Sequence, residues 1–169
     1  MNTRLSLVLA SICLGCAGEP PSPLQAQLDQ AAAMWARDKP SCAPYHYARV
    51  TLSFTGSTRQ TAIEITNDHP SRRRYDARFV QDNGEVTTEH WDETGAAIGS
   101  HEDGHRAETV EELFAECRAV LGQDAAANRL TLEIGAHGVP TDCVFVPKGC
   151  EDDCGMGFNI TDFACGPLP

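Results

Sequence analysis

The placement of cysteines constrains this chain more than any other feature of its sequence. Four of the eight, Cys143, Cys150, Cys154 and Cys165, fall within 138–165. That stretch reads Gly138-Val139-Pro140-Thr141, then a strand-like run to Val146, the acidic segment Cys150-Glu151-Asp152-Asp153-Cys154, and a second run from Phe158 to Phe163. It predicts a closing β-hairpin held at its tip and flanks by disulfides rather than by a large apolar core.

The N-terminus has the pattern of an export signal: Arg4, the apolar run Leu5-Ser6-Leu7-Val8-Leu9-Ala10, then small residues. The apolar run is too short to span a bilayer as a mature helix. Cys13-Leu14-Gly15-Cys16 resembles a lipobox. It predicts a signal peptide over 1–15, an acylated Cys16 and a proline-rich tether over 16–23, ahead of a single domain at 24–169. Cleavage near Ala17, releasing a soluble secreted protein, is the alternative.

Cut before Cys16, the chain loses Cys13 and keeps Cys42, Cys117, Cys143, Cys150, Cys154 and Cys165 for cross-links. An even set in an exported chain predicts disulfides. Sequence leaves their connectivity open. The favoured set is Cys42 with Cys117, Cys143 with Cys165, and Cys150 with Cys154. With 169 residues there is room for one core. A formal net charge of -11 repels phosphate backbones and argues against a nucleic-acid partner.

Hydrophobic spacing supplies the elements. Leu24, Leu28, Ala31, Ala32 and Trp35 recur at helical spacing over 24–38, with Pro40 as the stop. The period then changes to two: His46, Ala48, Val50, Leu52 and Phe54 alternate with Tyr45, Tyr47, Arg49 and Thr51. Thr61, Ile63 and Ile65 mark a return strand. Tyr75, Ala77 and Phe79 mark a third, and Asn83-Gly84 turns it into a partner over 86–91. Thr109 and Glu112 have the spacing of a capping box, opening a helix whose stripe is Val110, Leu113, Phe114, Cys117, Val120 and Leu121, with Gly122 as its stop. Leu130, Leu132 and Ile134 form one more strand before the closing hairpin. The fold class is α+β: a disulfide-stabilised antiparallel sheet with two helices packed on one face.

Trp35, Tyr45-x-Tyr47, the helix start 109–114, Gly138-Val139-Pro140-Thr141, Asp152-Asp153 and Ile160-Thr161-Asp162-Phe163 together resemble domain-of-unknown-function family 6174. These are exported bacterial proteins that often carry a lipobox. The resemblance implies an envelope location and carries over no catalytic residue. The density of cysteines around the last hairpin departs from the family's pattern.

His101-Glu102-Asp103-Gly104-His105 matches H-E-x-x-H, in which two histidines one helical turn apart bind zinc and the glutamate acts as base. Gly99, Ser100 and Gly104 argue for a loop instead. His101 and His105 are the zinc candidates. Glu151, Asp152 and Asp153, with Asp142 or Asp162, are the candidates for calcium, although no EF-hand spacing is present. Arg72, Arg73, Arg74 and Arg78 form a basic patch that is expected to answer the chain's own carboxylates or keep a strand edge soluble, with an anionic headgroup or glycan as the alternative partner.

The expected function is therefore that of a non-enzymatic cell-envelope lipoprotein. It has no cofactor and no catalytic residue, is held to a membrane at Cys16, and acts by binding an envelope protein or ligand or as a structural accessory. A zinc-dependent hydrolase using His101, Glu102 and His105 is one alternative, and a secreted inhibitor or ligand carrier is another.

Overall fold

The computed structural model describes residues 21–150 and 154–169. Helix α1 spans Pro23–Cys42. Strands β1 (Tyr45–Leu52), β2 (Thr58–Thr66), β3 (His69–Val80) and β4 (Val86–Thr94) follow as a meander. Helix α2 is Val110–Leu121, and β5 (Asn128–Ile134), β6 (Pro140–Pro147) and β7 (Met156–Cys165) complete the chain. The strands form one seven-stranded antiparallel sheet in the order β4-β3-β2-β1-β7-β6-β5. The last strand thus enters the middle of the sheet and joins the meander to the β5–β6 hairpin.

Both helices cover one face, as the pattern predicts. Leu28, Ala31 and Trp35 of α1 and Val110, Leu113, Phe114 and Val120 of α2 share a single core with Tyr45, Tyr47, Ile63, Ile65, Phe158 and Ile160 of the sheet. Trp35 meets Tyr45 edge-on at 5.1 Å and Phe163 at 5.9 Å, the offset geometry that aromatic quadrupoles favour. The capping box of α2 is present, with Thr109 Oγ1 accepting from Glu112 N while Glu112 Oε2 accepts from Thr109 N. Among the described residues, no helix is long and apolar enough to cross a membrane.

Three expectations need correction. Helix α1 does not stop before Pro40 but runs through it to Cys42. Proline costs one backbone bond there, yet Ala43 N still donates to Lys39 O, Ser41 Oγ donates to Asp38 O, and a cross-link pins Cys42. At the other end Ser22, placed in the tether by its composition, caps the helix in a box with Gln25.

The inward phase of β1 is the one carrying Tyr45, Tyr47 and Arg49. Of the apolar-looking phase, Leu52 is 73% exposed and Phe54 95% exposed. Two tyrosines reach polar partners at the far side of the core, Tyr45 Oη accepting from Val110 N and Tyr47 Oη donating to Glu108 O. Large rings with a polar end win the core position over smaller aliphatic groups.

The cross-links are Cys42–Cys165, Cys117–Cys143 and Cys150–Cys154. Cys42 does not pair with Cys117, nor Cys143 with Cys165; the Cys150–Cys154 bridge is as expected. Cys143 lies opposite Phe158 in the β6–β7 ladder. Cys165 is seven residues farther along β7, about 23 Å at the strand rise, and there it stands opposite Tyr45 of β1. The end of α1 leads into Tyr45, so Cys42 is the thiol within reach. Cys117, on the buried stripe of α2, faces β6.

Candidate functional site

The H-E-x-x-H segment lies in a loop, as its glycines suggest, and that loop wraps around one buried ion pair. Strand β3 presents Arg73, Tyr75 and Ala77 on the helix-side face, and β4 presents Glu93 and Trp91 opposite them. Arg73 Nη1 donates to Glu93 Oε2 at 3.0 Å, with 4% and 1% of the two side chains exposed. Three of the four remaining guanidinium hydrogens go to carbonyls of the loop: Nε to His105 O, Nη1 to His101 O and Nη2 to Asp103 O. Glu93 in turn accepts from the backbone N–H of Gly99 and of His101, from Ser100 Oγ, and from His101 Nδ1 at 2.8 Å. Burial pushes the Glu93 carboxyl up, but these donors outweigh it and hold its pKa at about 2.

The rings complete the clamp. His101 stacks on Trp91 at 4.5 Å with the planes 4° apart, Trp91 stacks on Tyr75, and the Arg73 guanidinium lies over Trp91 at 4.6 Å. His105 points away, with Nε2 3.1 Å from Thr51 Oγ1. Burial, with Arg49 and Arg73 nearby, lowers its pKa to about 4 and keeps it neutral. His101 and His105 are therefore structural partners of β4 and β1. Among the described residues they do not converge on a common point with a third donor. A cleft of about 410 Å3 runs beside the clamp, lined by Arg73, Ile98, His101, Glu102 and Arg106. Arg73 is engaged there by Glu93 and three loop carbonyls, and Arg106 reaches Glu108.

The basic patch divides between two faces. Arg73 points inward, whereas Arg72 grips Asp92 and Arg74 reaches Asp76 and the carbonyl of Pro169 on the outer face. Arg78 donates to Gly56 O. The expected answer to the chain's own carboxylates holds for Arg72, Arg73 and Arg74. Cys16 and the acidic run Glu151, Asp152 and Asp153 lie outside the described residues.

A second constellation has no local signature in the sequence. Between β5 and β6 a short turn, Ala136–Gly138, brings His137 to the Cys42–Cys165 bridge. His137 Nε2 is 3.5 Å from Cys165 Sγ, and its Nδ1 is 3.2 Å from Asp38 Oδ2 on α1. The carboxylate can only accept, so it favours the tautomer with the proton on Nδ1 and leaves the Nε2 lone pair facing sulfur. One ring nitrogen of His137 and both sulfurs lie within 4.8 Å of one another. Among the described residues this is the one group of three or more His, Cys, Asp or Glu donors gathered closely enough to share a ligand. Cys42 is buried, while Cys165 and His137 are exposed.

The turn that presents His137 is tightly seated. His137 has a left-handed backbone (φ 56°), which costs roughly 1–2 kcal/mol for a residue with a Cβ. Gly138 follows at φ 80°, and a Cβ there would stand 2.4 Å from Ala31 O. We expect Gly138→Ala to lower stability by about 3 kcal/mol in urea unfolding, through the clash and the unfavourable backbone together. An unchanged midpoint would show that the turn is not packed against α1.

No protein-family model matches the chain, and neither a curated protein nor a solved structure matches it. The likeness to domain-of-unknown-function family 6174 rests on the quoted residues alone.

Proposed function

We propose that the chain is a non-enzymatic domain of the bacterial cell envelope, anchored by acylated Cys16 and acting by binding or as a structural accessory. The observation that carries this reading is the cross-linking of Cys42, Cys117, Cys143, Cys150, Cys154 and Cys165 in three bridges. Such a set accumulates where the compartment is oxidising. The export-like segment and the lipobox-like Cys13-Leu14-Gly15-Cys16 agree with it. The non-enzymatic half is supported by the clamp, which spends His101 and His105 on β4 and β1.

Mass spectrometry of the protein isolated from its own host tests the address. We expect a mature N-terminal peptide that starts at Cys16 and carries fatty-acid mass. A chain beginning near Ala17 without acyl mass would favour the secreted carrier or inhibitor, and an intact Met1 would overturn export. Metal analysis of the same material tests the other half. Stoichiometric zinc that disappears in His101→Ala would restore the hydrolase.

A further inference from the structure

We propose that Cys42–Cys165 is an exchange-active disulfide, at which an external thiol attacks Cys165 with His137 as the proton carrier. The three bridges are not equivalent. Cys117 and Cys143 are both wholly buried, so no reagent reaches them in the folded state. In Cys42–Cys165 one sulfur belongs to an exposed residue and the other to a residue 2% exposed, which fixes the direction of attack. A nucleophile arrives at Cys165, and Cys42 is the leaving group.

The imidazole stands where that reaction needs it. An incoming thiol RSH gives its proton to His137 Nε2 as its sulfur bonds to Cys165 Sγ. The Cys42–Cys165 bond breaks, and its electron pair goes to Cys42 Sγ. The imidazolium, whose ring has a nitrogen within 4.8 Å of that sulfur too, returns the proton to it. The products are a mixed disulfide RS–Cys165 and a Cys42 thiol. A second RSH then cleaves the mixed disulfide, forming RSSR and the protein dithiol. Asp38 takes no proton; it positions the ring by accepting from Nδ1.

This reaction adds one covalent chemistry to a domain proposed above as non-enzymatic. It depends only on the bridge and its neighbours, so it stands or falls separately from the lipid anchor.

The test uses the oxidised protein, reduced glutathione as the thiol, rapid alkylation and peptide mapping. We expect glutathione on Cys165 and an alkylated Cys42, with Cys117–Cys143 intact. His137→Asn retains a residue type that tolerates the left-handed turn but lacks the proton-carrying nitrogen. It should slow attack at Cys165 by about tenfold or more while the protein stays folded. Asp38→Asn leaves residue 137 untouched and should slow the same attack by a smaller factor.

Exchange at Cys150–Cys154 in the same molecule serves as the clock. Loosening of the fold speeds exchange at both bridges, whereas loss of the proton carrier slows Cys165 alone. Glutathione confined to Cys150 or Cys154, attachment at Cys42, or an unchanged Cys165 rate in both variants would each overturn the proposal.

Discussion

Replacing Glu93 with alanine is expected to lower the unfolding free energy by about 4 kcal/mol, the cost of leaving a buried charge without its partner. Arg73, which is 3% exposed, would keep its positive charge over Trp91 with no carboxylate to meet it. Four donors from the loop would lose their acceptor at the same time: the N–H groups of Gly99 and His101, the Ser100 hydroxyl and the His101 ring. Removing both charges as Arg73→Met with Glu93→Leu should not restore stability, although such double replacements are often neutral elsewhere. Here the carbonyls of His101, Asp103 and His105 depend on the guanidinium and would be orphaned in turn. Urea unfolding of the two single variants and the double variant measures this. A double variant as stable as the parent would show that the pair does not organise the loop.

The same carboxylate gives the fold a definite response to acid. Glu93 is held at about 2 in the folded chain, against an ordinary value of 4.5. Its contribution is therefore complete above about 4.5 and is lost as pH falls towards 2, because the unfolded chain takes up the proton first. His105 adds to the trend: folded at about 4 against 6.5, it loses stability as pH falls between those values. Glu93→Gln should flatten the lower part of the profile.

Local signals reached most of the architecture. The alternation of Thr61, Ile63 and Ile65 and of Tyr75, Ala77 and Phe79, the turn at Asn83-Gly84 and the Thr109–Glu112 box each stand within a few residues of what they determine, and each is found in place. Two kinds of information were not local. One is the position of β7, which pairs with β1 rather than only with its sequence neighbour and so redirects two of the three cross-links. The other is the partnership of side chains brought together by the sheet. Arg73 carries a legible hint, since it occupies the inward phase ahead of Tyr75 and Ala77 where an unpaired charge is costly. His137 and Asp38 carry none, because 99 residues separate them and only the seating of the Ala136–Gly138 turn on α1 makes them neighbours.

The second large effect belongs to the Cys42–Cys165 bridge itself. It joins the end of α1 to the end of β7 across a sequence separation of 123. On the chain-entropy account a loop of that length stabilises the fold by about 5 kcal/mol, against about 3.5 for Cys117–Cys143 and about 2 for Cys150–Cys154. Cys42→Ser with Cys165→Ser should accordingly produce the largest loss of the three paired replacements, in the order of the loops closed. Helix α1 keeps its packing through Trp35 and Leu28, so the variant should unfold cooperatively at lower denaturant rather than collapse. Guanidinium unfolding of the three double-serine variants, each with the other bridges verified by mass, provides the comparison. If Cys150–Cys154 proves the costliest bridge to remove, loop entropy is not what these cross-links contribute. The closing strand would then be held in the sheet chiefly by its ladder with β1 and its burial of Phe158 and Ile160.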